Sequence, residues 1–251
     1  MAATLAASAF AQESGEAVVI SPDFVVDGRV VKGVPYSARA VTSVKQTLPT
    51  GSEISTQMAA LVARDAEGRT RREQTLRAIG PWALLPPLGG RAAEEAARRG
   101  DAPTVILIQD PVKQISFTLD PRTHLARITR REPRNETAAA RKDAGARTRP
   151  PFGERPAEDT ESLGDRTIEG VLARGKRTVT TLLAGAIGNS APLEIVVETW
   201  YSPDLQVVVL GKRSDPRVGE ITYRLTSIKR AEPPASLFEI PADYRVDGER
   251  R

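Results

Sequence analysis

Short apolar and β-branched segments, separated by turn residues at near-regular intervals, dominate the second half of the chain. Three such segments, Glu194–Trp200, Gln206–Leu210 and Glu220–Ile228, are joined by turns at residues 202–204 and 214–217 that contain Pro and Asp. Strands of this length, broken by clusters of Pro, Asp and Gly, are typical of antiparallel hairpins in series. The pattern therefore predicts a three-stranded meander in this region.

The same pattern of strands and turns extends upstream and predicts one continuous sheet. Tyr36–Leu48 and Ser52–Arg64 form a predicted hairpin across Pro49-Thr50-Gly51. Further strands are predicted at Arg69–Ile79, Thr104–Gln109, Gln114–Leu119, His124–Arg130, Thr167–Ala173 and Arg177–Leu183. The predicted fold is mainly β: a curved antiparallel meander sheet or half-barrel with one short helix and a disordered insert.

An apolar loop, Gly80–Gly90, interrupts this pattern. Its three prolines exclude a regular strand, yet it contains four large apolar residues, Trp82, Leu84, Leu85 and Leu88. Such a loop either folds back over the core as a plug or forms the mouth of an apolar groove. These four residues are the candidate ligand-binding site. The next segment, Arg91–Arg99, predicts a short exposed helix or a flexible insertion.

Residues 131–162 lose all periodicity and are rich in Arg, Ala, Pro and Glu, which predicts a disordered basic insert. We interpret residues 12–130 and 163–251 as the N-terminal and C-terminal parts of the same β domain. Near the end of the chain, four apolar residues are expected to pack the terminus against the core: Leu237, Phe238, Ile240 and Tyr244.

Residues 1–11 are interpreted as a truncated signal peptide. They form a short stretch of small apolar residues, and Ala9-Phe10-Ala11 fits a signal-peptidase site. The positively charged start of a signal peptide is missing, which a start codon assigned too far downstream explains; a disordered Ala-rich tail is the alternative. No segment of the sequence reaches the roughly 20 apolar residues that span a bilayer. We therefore expect a periplasmic or secreted protein.

The composition excludes several classes of protein. Hydrophobic residues make up 40% of the 251 residues and aromatic residues only 4%, so Val, Leu, Ile and Ala must build the core. The chain has no cysteine, which excludes disulfides, thiolate metal sites and cysteine nucleophiles. The net charge is +4, but Arg residues alternate with acids along the strands, as on a solvated sheet face. No nucleic-acid partner is therefore expected.

No pattern of residues predicts a cofactor, a metal site or a catalytic centre. His124 is the only histidine. Because a second nitrogen or thiolate ligand is missing, we interpret it as a surface residue rather than a base beside Asp120 or a metal ligand with Asp110. Asp110, Asp120 and Asp215 each precede a proline, where an Asp side chain accepts the backbone N–H bonds of a turn.

Four segments carry a resemblance to known proteins: Val34–Ala38, Arg64–Glu73, Tyr201–Leu205 and Leu237–Tyr244. Together they resemble an uncharacterised family of exported bacterial proteins, over most of the chain outside residues 80–103 and 131–161. More loosely, the long meander with a terminal Phe-x-x-Pro is similar to the periplasmic lipoprotein-carrier and sensor half-barrels. That resemblance implies a curved sheet around an apolar groove that holds acyl chains. It implies no site residues, because this chain has few helices to line such a groove.

Two functions are expected from this reasoning. The first is a non-enzymatic exported envelope protein that binds a lipid, a lipopeptide or another acylated ligand, with the apolar loop at the mouth of the groove. The alternative is a protein-interaction or sensor module of the cell envelope, in which sheet edges and the basic insert contact an acidic envelope protein partner. A hydrolase ranks third, because it needs a carboxylate pair that the sequence does not reveal.

Overall fold

Twelve β-strands form one open sheet in the computed structural model, which describes residues 30–75, 104–130 and 157–250. The strands are β1 (Tyr36–Thr47), β2 (Glu53–Arg64), β3 (Thr70–Thr75), β4 (Thr104–Asp110), β5 (Ile115–Asp120), β6 (Leu125–Arg130), β7 (Ala157–Ile168), β8 (Val171–Leu182), β9 (Leu193–Ser202), β10 (Val207–Asp215), β11 (Gly219–Lys229) and β12 (Arg245–Arg250). Their order across the sheet is β12-β6-β5-β4-β3-β2-β1-β11-β10-β9-β8-β7. Neighbouring strands are antiparallel, except that β12 and β6 are parallel.

The mainly β fold predicted from the sequence is confirmed. Among the described residues, the helical structure is one turn of 3-10 helix at Ala235–Phe238, and no helix there is long and apolar enough to cross a membrane. β1 and β2 form the hairpin predicted across residues 49–51, and β9, β10 and β11 form the predicted meander.

The prediction of a single strand over Thr167–Ala173 is wrong. A two-residue turn at Glu169 and Gly170 divides this segment between β7 and β8, and Ile168 pairs with Val171 across it. Both turn residues have a positive φ, 49° and 78°, as hairpin loops of this length require. The sequence gives little sign of this turn, because glutamate is an unusual residue in this conformation.

The predicted disordered insert, residues 131–162, is wrong at its end, since β7 begins at Ala157. β7 lies at the edge of the sheet and carries exposed charged residues such as Glu158, Asp159 and Glu161. Charged side chains protect an edge strand against pairing with other chains, and they also hide the apolar alternation that predicts a strand. Residues 1–29, the predicted helix at Arg91–Arg99 and the rest of the insert lie outside the described residues.

The two faces of the sheet differ in burial along its central strands. Alternate residues of β1, beginning with Tyr36, lie on one face of the sheet, which we call the inner face. Their partners in β2 and β11 lie on the same face, and so do the β3 residues that pair with those β2 residues. The inner face is buried at Ala40 and its partner Ala60, whereas Arg39 and its partner Leu61 on the outer face are exposed. Apolar burial on β1 and β2 is therefore concentrated on the inner face.

Burial extends to the outer face on β4–β6, because the C-terminal segment covers it there. The residues buried beneath this segment are Ile106, Ile108, Leu119 and Ala126, and Phe238 of the 3-10 turn packs onto them. Three further residues of the segment, Leu237, Ile240 and Tyr244, pack against the same cluster. The predicted packing of the terminus against the core is therefore confirmed.

The sheet is curled toward its inner face near the end of β2, where Arg64 links distant strands. The buried Arg64 guanidinium donates hydrogen bonds to the carbonyl oxygens of Val34, at 2.9 Å, and of Leu205. Leu205 lies just before β10, and β10 stands three places from β2, about 14 Å away in a flat sheet. A second link joins the Ser227 backbone N–H to the Glu169 carboxylate at 3.0 Å. Both links require the strands to fold inward.

The curl lets a chain poor in aromatic residues bury a core. Small residues on the inner face, Ala38, Ala40 and Ala60, allow the curled strands to approach one another and to pack with Trp200 and Leu225 in one cluster. The outer face has a second cluster, beneath the C-terminal segment. The described part of the sheet therefore has apolar clusters on both faces. The inner face of β3 and β4 lies between the inner cluster around Trp200 and the outer cluster beneath the C-terminal segment.

The turn between β2 and β3 holds the segments that precede β1 and follow β11. The buried Asp65 carboxylate closes this turn by accepting hydrogen bonds from the Arg69 backbone N–H at 2.8 Å and from Arg69 Nε at 2.6 Å. The Ala66 carbonyl accepts a hydrogen bond from the Gly33 N–H at 2.9 Å. The Ala66 N–H donates to the Glu232 carboxylate at 3.1 Å. Both flanking segments therefore meet at one turn.

Two arginines next to this turn extend the contacts to the C-terminal segment. The Arg69 guanidinium lies 5.2 Å from the centre of the Phe238 ring, within the range of a cation–π contact. Arg71 donates a hydrogen bond to the Leu237 carbonyl at 3.1 Å. All four segments that carry the sequence resemblance thus contribute contacts at this end of the sheet, which we call the junction (Val34, Arg64–Arg69, Leu205 and Leu237–Phe238).

We expect Arg64→Ala to lower the free energy of unfolding by about 3 kcal/mol, because two carbonyl oxygens lose a charged donor. The measurement is urea denaturation followed by circular dichroism. Arg39→Ala is the matched control, since Arg39 is exposed on the outer face of the neighbouring strand, and it should change stability by no more than about 0.5 kcal/mol. Equal free energies of unfolding for the two variants would contradict the role of Arg64 as a link.

Gly68→Ala is expected to be more destabilising than Gly51→Ala. Both glycines have a positive φ, 88° and 82°, so alanine costs about 1 kcal/mol at each position. Only at Gly68 would the added Cβ lie 2.9 Å from the Val31 carbonyl oxygen, whereas at Gly51 it meets no atom within 4 Å. The close contact should add about 1–2 kcal/mol in the same denaturation experiment. Equal losses would show that the approach of Val31 contributes nothing.

Candidate functional site

Arg71 and Arg72 are neighbours on β3 and point to opposite faces of the sheet. Arg71 is paired with Ala63 on the outer face, where it contacts the C-terminal segment. Arg72 is paired with Val62 of β2 and with Leu107 of β4 on the inner face. Arg72 is partly buried. The alternation of β3 therefore places a cation among apolar residues on the curled side of the sheet.

The Arg72 guanidinium has one hydrogen-bond partner in the described part of the chain. Arg72 Nε donates to Gln74 Oε1 at 2.6 Å, and Gln74 is buried on the same face, two residues further along β3. No carboxylate of residues 30–75, 104–130 or 157–250 forms an ion pair with Arg72. Its two terminal nitrogen atoms, Nη1 and Nη2, can therefore donate hydrogen bonds to a ligand.

Two tyrosines share the electrostatic environment of Arg72. Burial raises the pKa of Tyr36, and the charges of Arg64 and Arg72 oppose this increase. Burial likewise raises the pKa of Tyr223; the Tyr36 phenol adds to the increase, and the charge of Arg72 opposes it. Burial lowers the pKa of Arg72, but a guanidinium stays charged in proteins. We call Tyr36, Arg72, Gln74 and Tyr223 the inner basic patch.

Arg64 lies beside the inner basic patch, but its hydrogen-bond donors are engaged at the junction. Its guanidinium lies 4.9 Å from the centre of the Tyr36 ring, and it donates to two backbone carbonyls. Burial lowers the pKa of Arg64 as well. Of the two inner-face arginines at this end of the sheet, Arg64 thus has a structural role, whereas Arg72 has donors left for recognition.

Apolar side chains surround the inner basic patch. Val62 lies next to Arg72 on β2 and Leu107 lies next to it on β4, while Val105 is paired with Gln74. All three apolar residues are partly exposed. A cation set in apolar surface is the arrangement expected for an amphipathic ligand, whose charged group is oriented by one polar contact while its apolar part is buried.

The candidate residues predicted from the sequence, Trp82, Leu84, Leu85 and Leu88, lie outside the described residues. The structure does show where their segment leaves and rejoins the sheet. β3 ends at Thr75 and β4 begins at Thr104, and the hydroxyl oxygens of these two residues are 3.1 Å apart. This point is one residue from Gln74 and Val105, so the two residues that flank the segment lie next to the inner basic patch.

His124 is an exposed residue that does not pair with Asp110 or Asp120. Its Nδ1 lies 3.1 Å from the Asp243 carboxylate, and its ring stacks on Tyr244 with the ring centres 5.3 Å apart. In the part of the chain that the structure describes, no three potential ligands cluster in a way that could hold a metal ion. His124 thus helps to attach the C-terminal segment.

The aspartates that precede prolines accept turn hydrogen bonds, as the sequence predicts. Asp110 accepts from the backbone N–H groups of Val112 and Lys113, and Asp120 accepts from that of Arg122. Asp215 is buried and binds Arg217 through both backbone and side chain. The Arg217 side chain is the main reason that the pKa of Asp215 falls to about 2.

Sequence reasoning missed Arg64 and Arg72, because it interpreted charged residues on strands as a solvated sheet face. That expectation is wrong at the junction, where Arg64 is buried, and at the inner basic patch, where Arg72 is partly buried. A signal was present: both residues belong to a segment that carries the sequence resemblance. Period-two alternation also separates Arg72 and Gln74 from Arg71 and Glu73, which marks two different environments on one charged strand.

Comparisons with known proteins give only distant structural similarities. No family model matches the sequence, and no curated protein matches it. An uncharacterised conserved protein from Thermus thermophilus is 12% identical, with a TM-score of 0.41 over 86% of this chain and 91% of that one. MucB in its Pseudomonas aeruginosa complex with MucA is 11% identical, with a TM-score of 0.36 over 84% of this chain and 58% of that one.

A LolA superfamily protein from Nitrosomonas europaea is also similar, with 8% identity and a TM-score of 0.28 over 82% of this chain and 90% of that one. Similarities at this level carry no argument about a ligand or a partner. The solved structures that are similar to this chain include MucB and a LolA superfamily protein.

Proposed function

We propose that this chain is a non-enzymatic binding protein of the cell envelope, periplasmic or secreted, that holds a lipid or another acylated ligand against the inner face of its sheet. The observation that carries the proposal is the partly exposed apolar surface of Val62, Val105 and Leu107 around the inner basic patch. The outer face of β4–β6, by contrast, is covered by the C-terminal segment.

The energetics of acyl-chain burial support this choice of ligand. Each buried methylene contributes about 0.8 kcal/mol, so roughly ten methylenes contribute about 8 kcal/mol. That gain offsets a cost of association of about 4 kcal/mol or more. A flat polar ligand would gain far less from the same apolar residues.

We also propose that Trp82, Leu84, Leu85 and Leu88 contact this ligand at the mouth of the groove. Their segment leaves and rejoins the sheet at Thr75 and Thr104, next to the inner face of β3 and β4. Large apolar side chains in a segment that begins and ends at this point would extend the surface that an acyl chain can bury.

The test is native mass spectrometry of the full chain purified from a bacterial envelope, followed by organic extraction. We expect a discrete additional mass that extracts as a lipid. Leu107→Asn should weaken the affinity for the lipid about tenfold and thereby lower the occupied fraction, because it removes apolar contact worth on the order of 1–2 kcal/mol. Leu61→Asn is the matched control, since Leu61 is exposed on the outer face of β2, and it should leave the occupancy unchanged.

Trp82→Ala tests the proposed mouth in the same experiment, and it should reduce the occupied fraction without changing the free energy of unfolding by more than about 1 kcal/mol. Undiminished occupancy in this variant would exclude Trp82 from the ligand site. A wild-type protein that carries no extractable lipid would contradict the whole proposal and would favour the interaction with an envelope protein partner instead.

A further inference from the structure

We infer that Arg72 is an anion-binding residue, and that the ligand of the inner face carries a carboxylate or phosphate group next to its apolar part. The inference rests on the proposed function, because the apolar part would occupy the inner face described above. It goes further by naming the charged group that the ligand must have and the residue that recognises it.

The arginines around the junction differ in how many of their donors are engaged. Arg64 donates to two backbone carbonyls, Arg69 binds the Asp65 carboxylate, and Arg71 binds the Glu73 carboxylate at 2.9 Å as well as the Leu237 carbonyl. Arg72 donates from Nε to Gln74 alone among the described residues. A guanidinium has five N–H donors, so its terminal edge is available to an anion.

The terminal N–H donors of Arg72 lack a partner among the described residues in a partly buried position, which costs free energy unless a ligand is bound there. A charge removed from water loses hydration, and an anionic partner restores that loss. Arg72 is partly buried between Val62 and Leu107, which provide no polar side chain. The lowered pKa of Arg72 has the same cause, its burial.

The orientation of Arg72 is set before a ligand arrives. Gln74 is buried, and its Oε1 holds Arg72 Nε at 2.6 Å, which directs the terminal edge of the guanidinium away from Gln74. That edge matches the two oxygen atoms of a carboxylate or a phosphate. Tyr36 and Tyr223 lie on the same face, and their phenols are protonated at neutral pH, since the tyrosine pKa is ordinarily about 10 and burial raises it further. An anion at Arg72 therefore meets no negative charge from these residues.

The deciding experiment compares two probes with the same ten-carbon chain length, decanoate with an anionic head group and decanol with a neutral one, by calorimetric titration of the full chain after lipid extraction. The wild type should bind decanoate at least tenfold more tightly than decanol. Arg72→Gln should weaken decanoate binding about tenfold to a hundredfold and should leave decanol binding within about twofold. Arg39→Gln removes the same charge from the exposed outer face and should change neither affinity.

Arg72→Lys keeps the charge but loses the planar edge, so it should fall between the wild type and Arg72→Gln for decanoate. This variant also serves if Arg72→Gln does not fold. Loss of affinity for decanoate and decanol in equal measure would overturn the inference, because it would assign Arg72 a purely structural role. Unchanged decanoate binding in both variants would overturn it as well.

A second measurement separates this inference from the proposed function. Inorganic phosphate is titrated while the Arg72 side-chain Nε–H signal is followed by NMR, with the signal assigned by its absence from Arg72→Gln. A saturable shift supports the anion site even if neither ten-carbon probe binds. In that case the proposed acyl ligand is rejected, and a free anion is the ligand of Arg72. A third outcome is that decanoate binds no more tightly than decanol and that phosphate causes no shift of the signal. Binding of decanol would then support the apolar ligand site, and the anion site would be overturned.

Discussion

The contacts of the Arg64 guanidinium are the constraint on which the shape of the sheet depends. An open sheet of twelve strands is not closed by hydrogen bonds between its two edges. Strand twist and the irregular pairings in the sheet bend it, and contacts between strands that are not neighbours hold it in the curled form. Arg64 provides such a contact by holding the carbonyls of Val34 and Leu205. Arginine suits this task because its planar fork directs several donors at once, which the single ammonium of lysine does not. The Tyr36 ring at 4.9 Å adds a cation–π contact to the same group.

Local pattern predicts most of the sheet, because hairpins leave local signals. The β1–β2 hairpin and the β9–β11 meander follow from alternation and from turn residues, and Asp110 and Asp215 accept the turn hydrogen bonds expected of Asp before Pro. The turn at Glu169 escapes prediction because its positive φ depends on the surrounding strands and not on a favourable residue type. β7 escapes because an exposed edge strand gains from charge and loses its apolar alternation.

The candidate site is less predictable, because it depends on register between strands far apart in the sequence. Period-two alternation places Arg71 and Arg72 on opposite faces of a strand, but it does not determine which of these two neighbours lies on the apolar face. The pairing of Arg71 with Ala63 and of Arg72 with Val62 sends them to opposite faces, and only the outer one meets Glu73 and the Leu237 carbonyl. Composition identifies the segment around Trp82, but composition does not determine what that segment contacts.

Stability alone does not account for a partly buried arginine that forms no ion pair with the described carboxylates. Replacing a buried charge by an apolar or neutral side chain of similar size is often neutral or stabilising, and Arg72 sits between Val62 and Leu107, where such a replacement would pack well. Arg64 is explained by the strands it links. The Arg72 side chain forms no hydrogen bond to another described strand, since its partner Gln74 lies on the same strand. The charge of Arg72 is therefore better explained by the binding of a ligand than by a link between strands.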